Sequence, residues 1–197
     1  MRLIGLAVVL VIGLTLTPLA GEAQQASKLY RIGDLVPGTA AATAPLIAVF
    51  RQALNGLGYV EGKNYVLEIR YSETAESHAQ NAEELARLGV DVIVVTTTTS
   101  ALAAQRATNT IPIVMVSVGD PVQAGLVESL ARPGGNITGN GVLFPELTVK
   151  QLEFMKQTLV KASRVLVLGN WSNPSTPPLW SSLQPPARGL NVRPRIT

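Results

Sequence analysis

Two short stretches of this chain, Val90 to Val95 and Ile111 to Val116, are apolar almost without interruption. A strand with one wet face alternates apolar and polar residues, so unbroken runs this short demand cover on both faces. Parallel strands flanked by helices provide that cover. The two runs belong to a series of β-branched segments: Tyr30 to Val36, Tyr65 to Tyr71, Val90 to Thr96, Ile111 to Val116, Ile137 to Val142 and Arg164 to Leu168. Helix-period segments separate most of them. Strands alternating with helices predict an α/β fold, a three-layer αβα parallel sheet, with the two most apolar strands at its centre.

The helical segments carry their own punctuation. Leu46, Phe50, Leu54 and Leu57 recur at helical spacing, and Gly58 stands where a left-handed stop belongs. Ser77 with Gln80 reads as a capping box for a helix that buries Ala82, Leu85 and Ala86 and closes at Gly89. His78, in the first turn of that helix, is expected to be solvated. A third, alanine-rich helix is expected from Ser100 to Thr108. Asp120, Pro121 and Gln123 then look like the start of a fourth, with Val122, Leu126, Val127 and Leu130 as its buried stripe. Arg132-Pro133-Gly134-Gly135-Asn136 must be a turn back into the sheet. After Phe144 a fifth helix would bury Leu152, Met155 and Leu159. Beyond Gly169 the prolines leave room for one short helix around Leu179 to Leu183 and the beginning of a strand after Leu190.

The amino terminus differs in texture. Arg2 precedes an uncharged run from Leu3 to Gly21, and Gly21-Glu22-Ala23 places small residues at the minus-three and minus-one positions of a cleavage site. This is the pattern of a secretory signal peptide over residues 1–23, cut after Ala23. The competing reading is a retained membrane anchor, against which Pro18 and the cleavage residues both speak. No cysteine follows the run, so no lipid anchor is expected. The expected location is periplasmic.

Composition closes off several classes of function. With no cysteine and the single histidine His78, a thiol nucleophile, a disulfide framework, a cysteine metal site and an imidazole cluster are all excluded. No cofactor and no metal is expected. Sixteen Lys and Arg against thirteen Asp and Glu leave a formal charge of +3, too dilute over 197 residues for a nucleic-acid surface. Gly139-Asn140-Gly141 imitates a dinucleotide fingerprint, but Phe144 takes the third glycine's place.

The order of motifs resembles the ABC-transporter substrate-binding proteins, a periplasmic binding protein type I-like family of which some members bind aromatic amino acids. The resemblance is carried by Arg31-Ile32-Gly33, Phe50-Arg51-Gln52-Ala53-Leu54, Leu57-Gly58-Tyr59-Val60-Glu61-Gly62 and Val90-Asp91-Val92-Ile93-Val94. It continues through Thr110-Ile111-Pro112-Ile113-Val114, Gly119-Asp120-Pro121-Val122 and Ser129 to Gly139, and more weakly to Asn173-Pro174. It implies two α/β lobes that close on a small solute, and a Rossmann-like first lobe. On that reading residues 24–142 form the first lobe, and residues 143–197 form a crossover helix and the start of an incomplete second lobe. The family pattern runs on further than this chain, which is therefore read as a fragment with weak or absent binding.

In open parallel sheets the usable crevice lies beyond the carboxyl ends of the strands. The hydroxyls of Thr97, Thr99 and Ser100 beside helix N–H groups suit a carboxylate, although capping alone also explains such residues. Asp120 could meet an ammonium or serve only as a cap. Thr39 and Thr43 share the rim, and Asn140 lies in the loop region at the end of its strand. The resemblance implies Asn170 and Asn173 opposite, with Trp171 as a possible stacking surface. A solute receptor follows, delivering to a permease and, indirectly, its ATPase, with no nucleic acid and no catalysis. The alternatives are an exported hydrolase or transferase using Asp120 or Asp34 as a base, and an extracytoplasmic sensor module.

Overall fold

The computed structural model describes residues 28–196, so the predicted signal peptide lies outside the described residues. Five strands form one wholly parallel sheet: β1 (Tyr30–Pro37), β2 (Tyr65–Ser72), β3 (Val92–Val95), β4 (Ile113–Gly119) and β5 (Ile137–Val142), in the order β2-β1-β3-β4-β5. Three helices connect the first four: α1 (Ala40–Gly56), α2 (Ala75–Leu88) and α3 (Thr98–Ala107). A second sheet pairs β6 (Arg164–Val167) with β7 (Arg193–Ile196), again in parallel, together with α4 (Phe144–Thr158) and α5 (Thr176–Gly189). Among the described residues no helix is long and apolar enough to cross a membrane.

Of the two apolar runs, the one in β3 takes the centre and is covered on both faces, whereas β4 lies next to the edge strand and its Val116 is 49% exposed, a correction to the expected cover on both faces. Leu35 of β1 and Ile93 and Val95 of β3 face one side, where α2 and α3 supply Leu85, Ala101 and Ala104. Ile32 of β1 and Val92 and Val94 of β3 face the other, against Phe50 and Leu54 of α1. The period of two thus splits each central strand between two cores. Each large aliphatic side chain so buried contributes about 1.5–3 kcal/mol. Gly33 has no side chain because Leu85 and Val90 already stand at 3.1–3.2 Å from where its Cβ would be.

Local signals place most helix ends. Gly58 and Gly89 adopt φ of +87° and +64° at the ends of α1 and α2. The capping box of α2 sits one turn earlier than the sequence suggested. Thr74 is the cap, its Oγ1 accepting from Ser77 N at 3.1 Å while Ser77 Oγ accepts from Thr74 N at 3.0 Å. Serine at the third helical position does what glutamate or glutamine does in the usual pattern. On α1 the buried stripe is Thr43 and Ile47 with half-buried Phe50 and Leu54, while Leu46 and Leu57 point outward at 69% and 75% exposure.

Four further expectations are corrected. The fourth helix does not form: after one turn from Asp120, Gly125 takes φ +70° and the chain continues as turns to Asn136. Leu126 and Val127 are buried as expected, but Val122 and Leu130 are not. Leu159 of the fifth expected helix is also exposed, because α4 ends before it. The expected short helix after Gly169 is longer, running through Pro185 and Pro186 to Gly189. Two missing N–H groups normally break a helix; here buried Leu183 and Ala187, packed with Leu152 and Val192, hold the last turns in place. His78 is the fourth correction, since it is buried rather than solvated.

The segment Ser129 to Gly139 is a structural clasp. Asn136 Nδ2 donates to Ile111 O at 2.8 Å and Thr108 O at 3.3 Å, tying the start of β5 to the loop before β4. At Gly139, φ is +127° and a Cβ would lie 2.1 Å from the carbonyl oxygen of Met115, where β4 and β5 slip register. Backbone cannot move aside there, so Gly139→Ala is expected to cost at least about 3 kcal/mol. Gly89→Ala, also left-handed but with nothing within 4 Å, is expected to cost about 1–2 kcal/mol. Urea unfolding of both variants checks this, and equal losses would refute the steric account.

Candidate functional site

All five strands of the first sheet point the same way, so their carboxyl ends share one edge. Along that edge lies a cavity of about 230 Å³. Its walls on the first-sheet side are Pro37 at the end of β1, Glu73 to Ala75 after β2, His78 of α2, and Thr97 and Thr99 after β3. Asn170, Ser172 and Asn173, from the loop after β6, form the opposite wall. The cavity therefore lies between the two sheets and takes groups from both.

Of the nine residues singled out from the sequence, this cavity unites four: Thr97, Thr99, Asn170 and Asn173. Thr97 is at once the cap of α3. Its Oγ1 accepts from Ser100 N at 3.2 Å, and Ser100 Oγ accepts in return from Thr97 N at 3.1 Å. Ser100 is fully buried in that box and does not line the cavity. The Asn170 and Asn173 carboxamide oxygens accept from Ser172 N and Ser175 N at 2.9 and 3.0 Å, so their NH₂ groups are the ends with capacity to spare.

The other candidates stand elsewhere. Thr39 caps α1 through Ala42 N, and Thr43 donates back to Thr39 O at 2.8 Å. Asp120 Oδ1 accepts from Gln123 N at 3.2 Å, the hydrogen bond of a cap, but its φ is +36° rather than extended and no helix follows. Asp120 instead lines a separate recess of about 30 Å³ with Phe144, Pro174 and Ser175, room for about one water. Asn140 is exposed on the edge strand β5. Trp171 is exposed and lines neither space.

Two features of the site escaped the sequence. Thr98 and Ser175 share a hydrogen bond of 2.9 Å between hydroxyls 77 positions apart, joining the start of α3 to the loop before α5. Gly119 makes room for that junction, because a Cβ there would lie 2.8 Å from Phe144 and 3.0 Å from Ser175 Oγ. No local pattern announces such a pair. The second feature is His78, whose burial was legible: residues 78, 82 and 85 share the buried stripe of α2.

The charges are arranged sparsely around the cavity. Glu73 is its one carboxylate among the described residues. Asp91 pairs with Lys28 at 2.6 Å and accepts from Arg31 N at 2.8 Å, before β3 and at the opposite edge of the sheet; these bonds, Lys28 first, lower its carboxyl below the ordinary range. Asp34, on the α1 side of β1, is 3% exposed and its Oδ1 has no partner among the described residues. Burial pushes its carboxyl up from 3.8 to about 6. No group of three or more metal-ligating side chains occurs among the described residues.

Comparison with known proteins bears on the family and the fold. The profile of the family described as ABC transporter substrate binding protein matches residues 42–183. A curated protein of Clostridioides difficile (strain R20291), described as a tyrosine-binding protein, is 38% identical over 125 residues, which is 62% of this chain and 35% of that protein. A crystal structure of a conserved domain protein from Vibrio cholerae is 27% identical with a TM-score of 0.78, covering 86% of this chain and 57% of the other. A Streptococcus pneumoniae ABC domain in complex with L-Trp shares the fold, at 22% identity and a TM-score of 0.76, with the same coverage. The chain thus spans about a third to somewhat over half the length of these relatives.

The raised Asp34 carboxyl makes stability depend on pH in a definite direction. Between 3.8 and about 6 the folded chain keeps a proton that the unfolded chain has already released, so stability falls as the pH rises through this window. The full penalty, on the order of 3 kcal/mol, is present at neutral pH and absent below the unfolded value. Asp34→Asn removes this contribution. Denaturant unfolding of both proteins from pH 3.5 to 7 is expected to show their difference growing across that window; a constant difference would contradict it.

Proposed function

The chain belongs to the ABC transporter substrate binding protein family, and on that premise we propose that it holds a small amino-acid-like solute in the cavity between its two sheets. The observation that carries this reading is the convergence of Thr97 and Thr99 from one sheet and Asn170 and Asn173 from the other on a single space. The family and the curated relative are binding proteins rather than enzymes, so neither Asp34 nor Asp120 is assigned a role as a base.

Binding is shared between the two walls. The N-terminal N–H groups of α3 and the Thr99 hydroxyl favour a carboxylate. The carboxamides of Asn170 and Asn173 close on the solute from the other side. On this reading residues 24–142 act as one lobe and residues 143–197 contribute to the second. A solute touching both walls binds the closed arrangement better and shifts the population toward it. The tyrosine-binding curated relative and the L-Trp complex make aromatic amino acids the first solutes to try. Delivery to a membrane permease driven by an ATPase, and export through residues 1–23, complete the proposal.

Titration of the chain with L-tyrosine, L-tryptophan and L-phenylalanine, followed by calorimetry and by amide NMR shifts up to millimolar solute, tests it. Saturable binding without chemical conversion is expected. Thr99→Val, which leaves the Thr97 and Ser100 box of α3 intact, is expected to weaken binding about fivefold, the worth of one hydrogen bond. Asn140→Ala, on the edge strand, is expected to change nothing. Conversion of a solute, or no saturable response to any of the three, refutes the proposal.

A further inference from the structure

His78 lines the same cavity and takes no part in the proposed contacts of Thr97, Thr99, Asn170 and Asn173. The side chain is 5% exposed. Its Nδ1 lies 2.7 Å from the carbonyl oxygen of Thr74. A carbonyl oxygen only accepts, so the proton of that bond sits on Nδ1. In the neutral ring this leaves Nε2 as a bare acceptor. Nε2 is buried, and it has no hydrogen-bond partner among the described residues.

The groups around it do not supply one: the Thr99 and Ser172 hydroxyls and the carboxamide NH₂ groups of Asn170 and Asn173 line the same cavity, and none of them bonds to Nε2. The Thr97 hydroxyl is engaged with Ser100, and the Thr74 hydroxyl with Ser77. Glu73, the carboxylate of this cavity, is an acceptor itself when ionised. An acceptor buried without a partner bears a desolvation cost that a donor would relieve. Sites with such a group discriminate sharply, because a ligand lacking the matching donor leaves it unpaired.

We infer that His78 is a specificity-determining residue of the cleft, its Nε2 accepting a hydrogen bond from an N–H or O–H group of the bound solute. The cleft then selects solutes that present a donor at this point, either the ammonium of an amino acid or a phenol hydroxyl or indole N–H on its side chain. This rests on the cavity being the solute site proposed above. It adds the polarity that the solute must show to the first-sheet wall.

His78 is the one histidine of the chain, so ¹⁵N-histidine labelling of the wild-type protein yields a single imidazole. The free protein is expected to show a protonated Nδ1 and an unprotonated Nε2. Three probes separate the donors: L-tyrosine with ammonium and phenol, L-phenylalanine with ammonium only, and 3-phenylpropionate with neither. The Nε2 signal is expected to move to a hydrogen-bonded shift with L-tyrosine and to stay with 3-phenylpropionate. Movement with L-phenylalanine assigns the ammonium, and movement with L-tyrosine alone assigns the phenol. His78→Phe is expected to weaken the donor-bearing probes at least about fivefold and to leave 3-phenylpropionate unchanged.

The inference is overturned if L-tyrosine shifts the amides of Thr97 and Thr99 on binding while both imidazole nitrogens stay still. It is also overturned if the free protein carries its proton on Nε2. If no probe moves any residue of the cavity, the solute-binding reading fails as a whole and takes this one with it. Because the labelled wild-type protein gives the primary readout, the result does not depend on the variant folding.

Discussion

The burial of β1 and β3 on both faces is the constraint on which the rest of the molecule depends. A strand wetted on one side could belong to an antiparallel sheet with hairpin returns. Strands covered on both sides need helices above and below, and helices above and below need long crossovers. Crossovers make every strand run the same way, and a common direction gathers all the strand ends at one edge. The position of the cavity therefore follows from the apolar character of Ile93, Val94 and Val95, although none of them touches it.

At that edge the same residue types serve two masters. Loops that enter helices need side-chain oxygens to satisfy the first N–H groups, and a solute site at the same place needs oxygens too. Thr39 and Ser100 are spent on the first need, and Thr97 serves it while also lining the cavity. Thr99 lies on the cavity wall without a part in the box. Threonine and serine at a strand-to-helix junction are therefore ambiguous as residue types. Only their place in the first turn separates one use from the other.

The second sheet reaches the first through small contacts of high specificity rather than a large apolar surface. The hydroxyl pair Thr98 and Ser175 and the bare backbone of Gly119 against Phe144 bring the β6 loop over the strand ends. A sheet of two strands gains little stability alone, and here α4 and α5 supply the core of Leu152, Leu183, Ala187 and Val192. That core is strong enough to carry a helix through two consecutive prolines.

The sequence by itself determined the α/β class, the parallel strand series, the central place of the apolar run in β3 and the glycine stops at Gly58 and Gly89. Each of these rests on neighbours within about one helical turn or on the period of a strand, and such short-range physics is written in local order. Tertiary structure decided what depends on distant partners: that Leu46 and Leu57 face outward while Ile47 faces in, that the segment after Asp120 turns instead of coiling, and that Pro185 and Pro186 stay helical. It decided the cavity as well. Asn170 and Asn173 meet Thr97 and Thr99 only because a loop more than 70 positions away folds over the strand ends, and His78 Nε2 is left buried without a partner among the described residues only through the packing around α2.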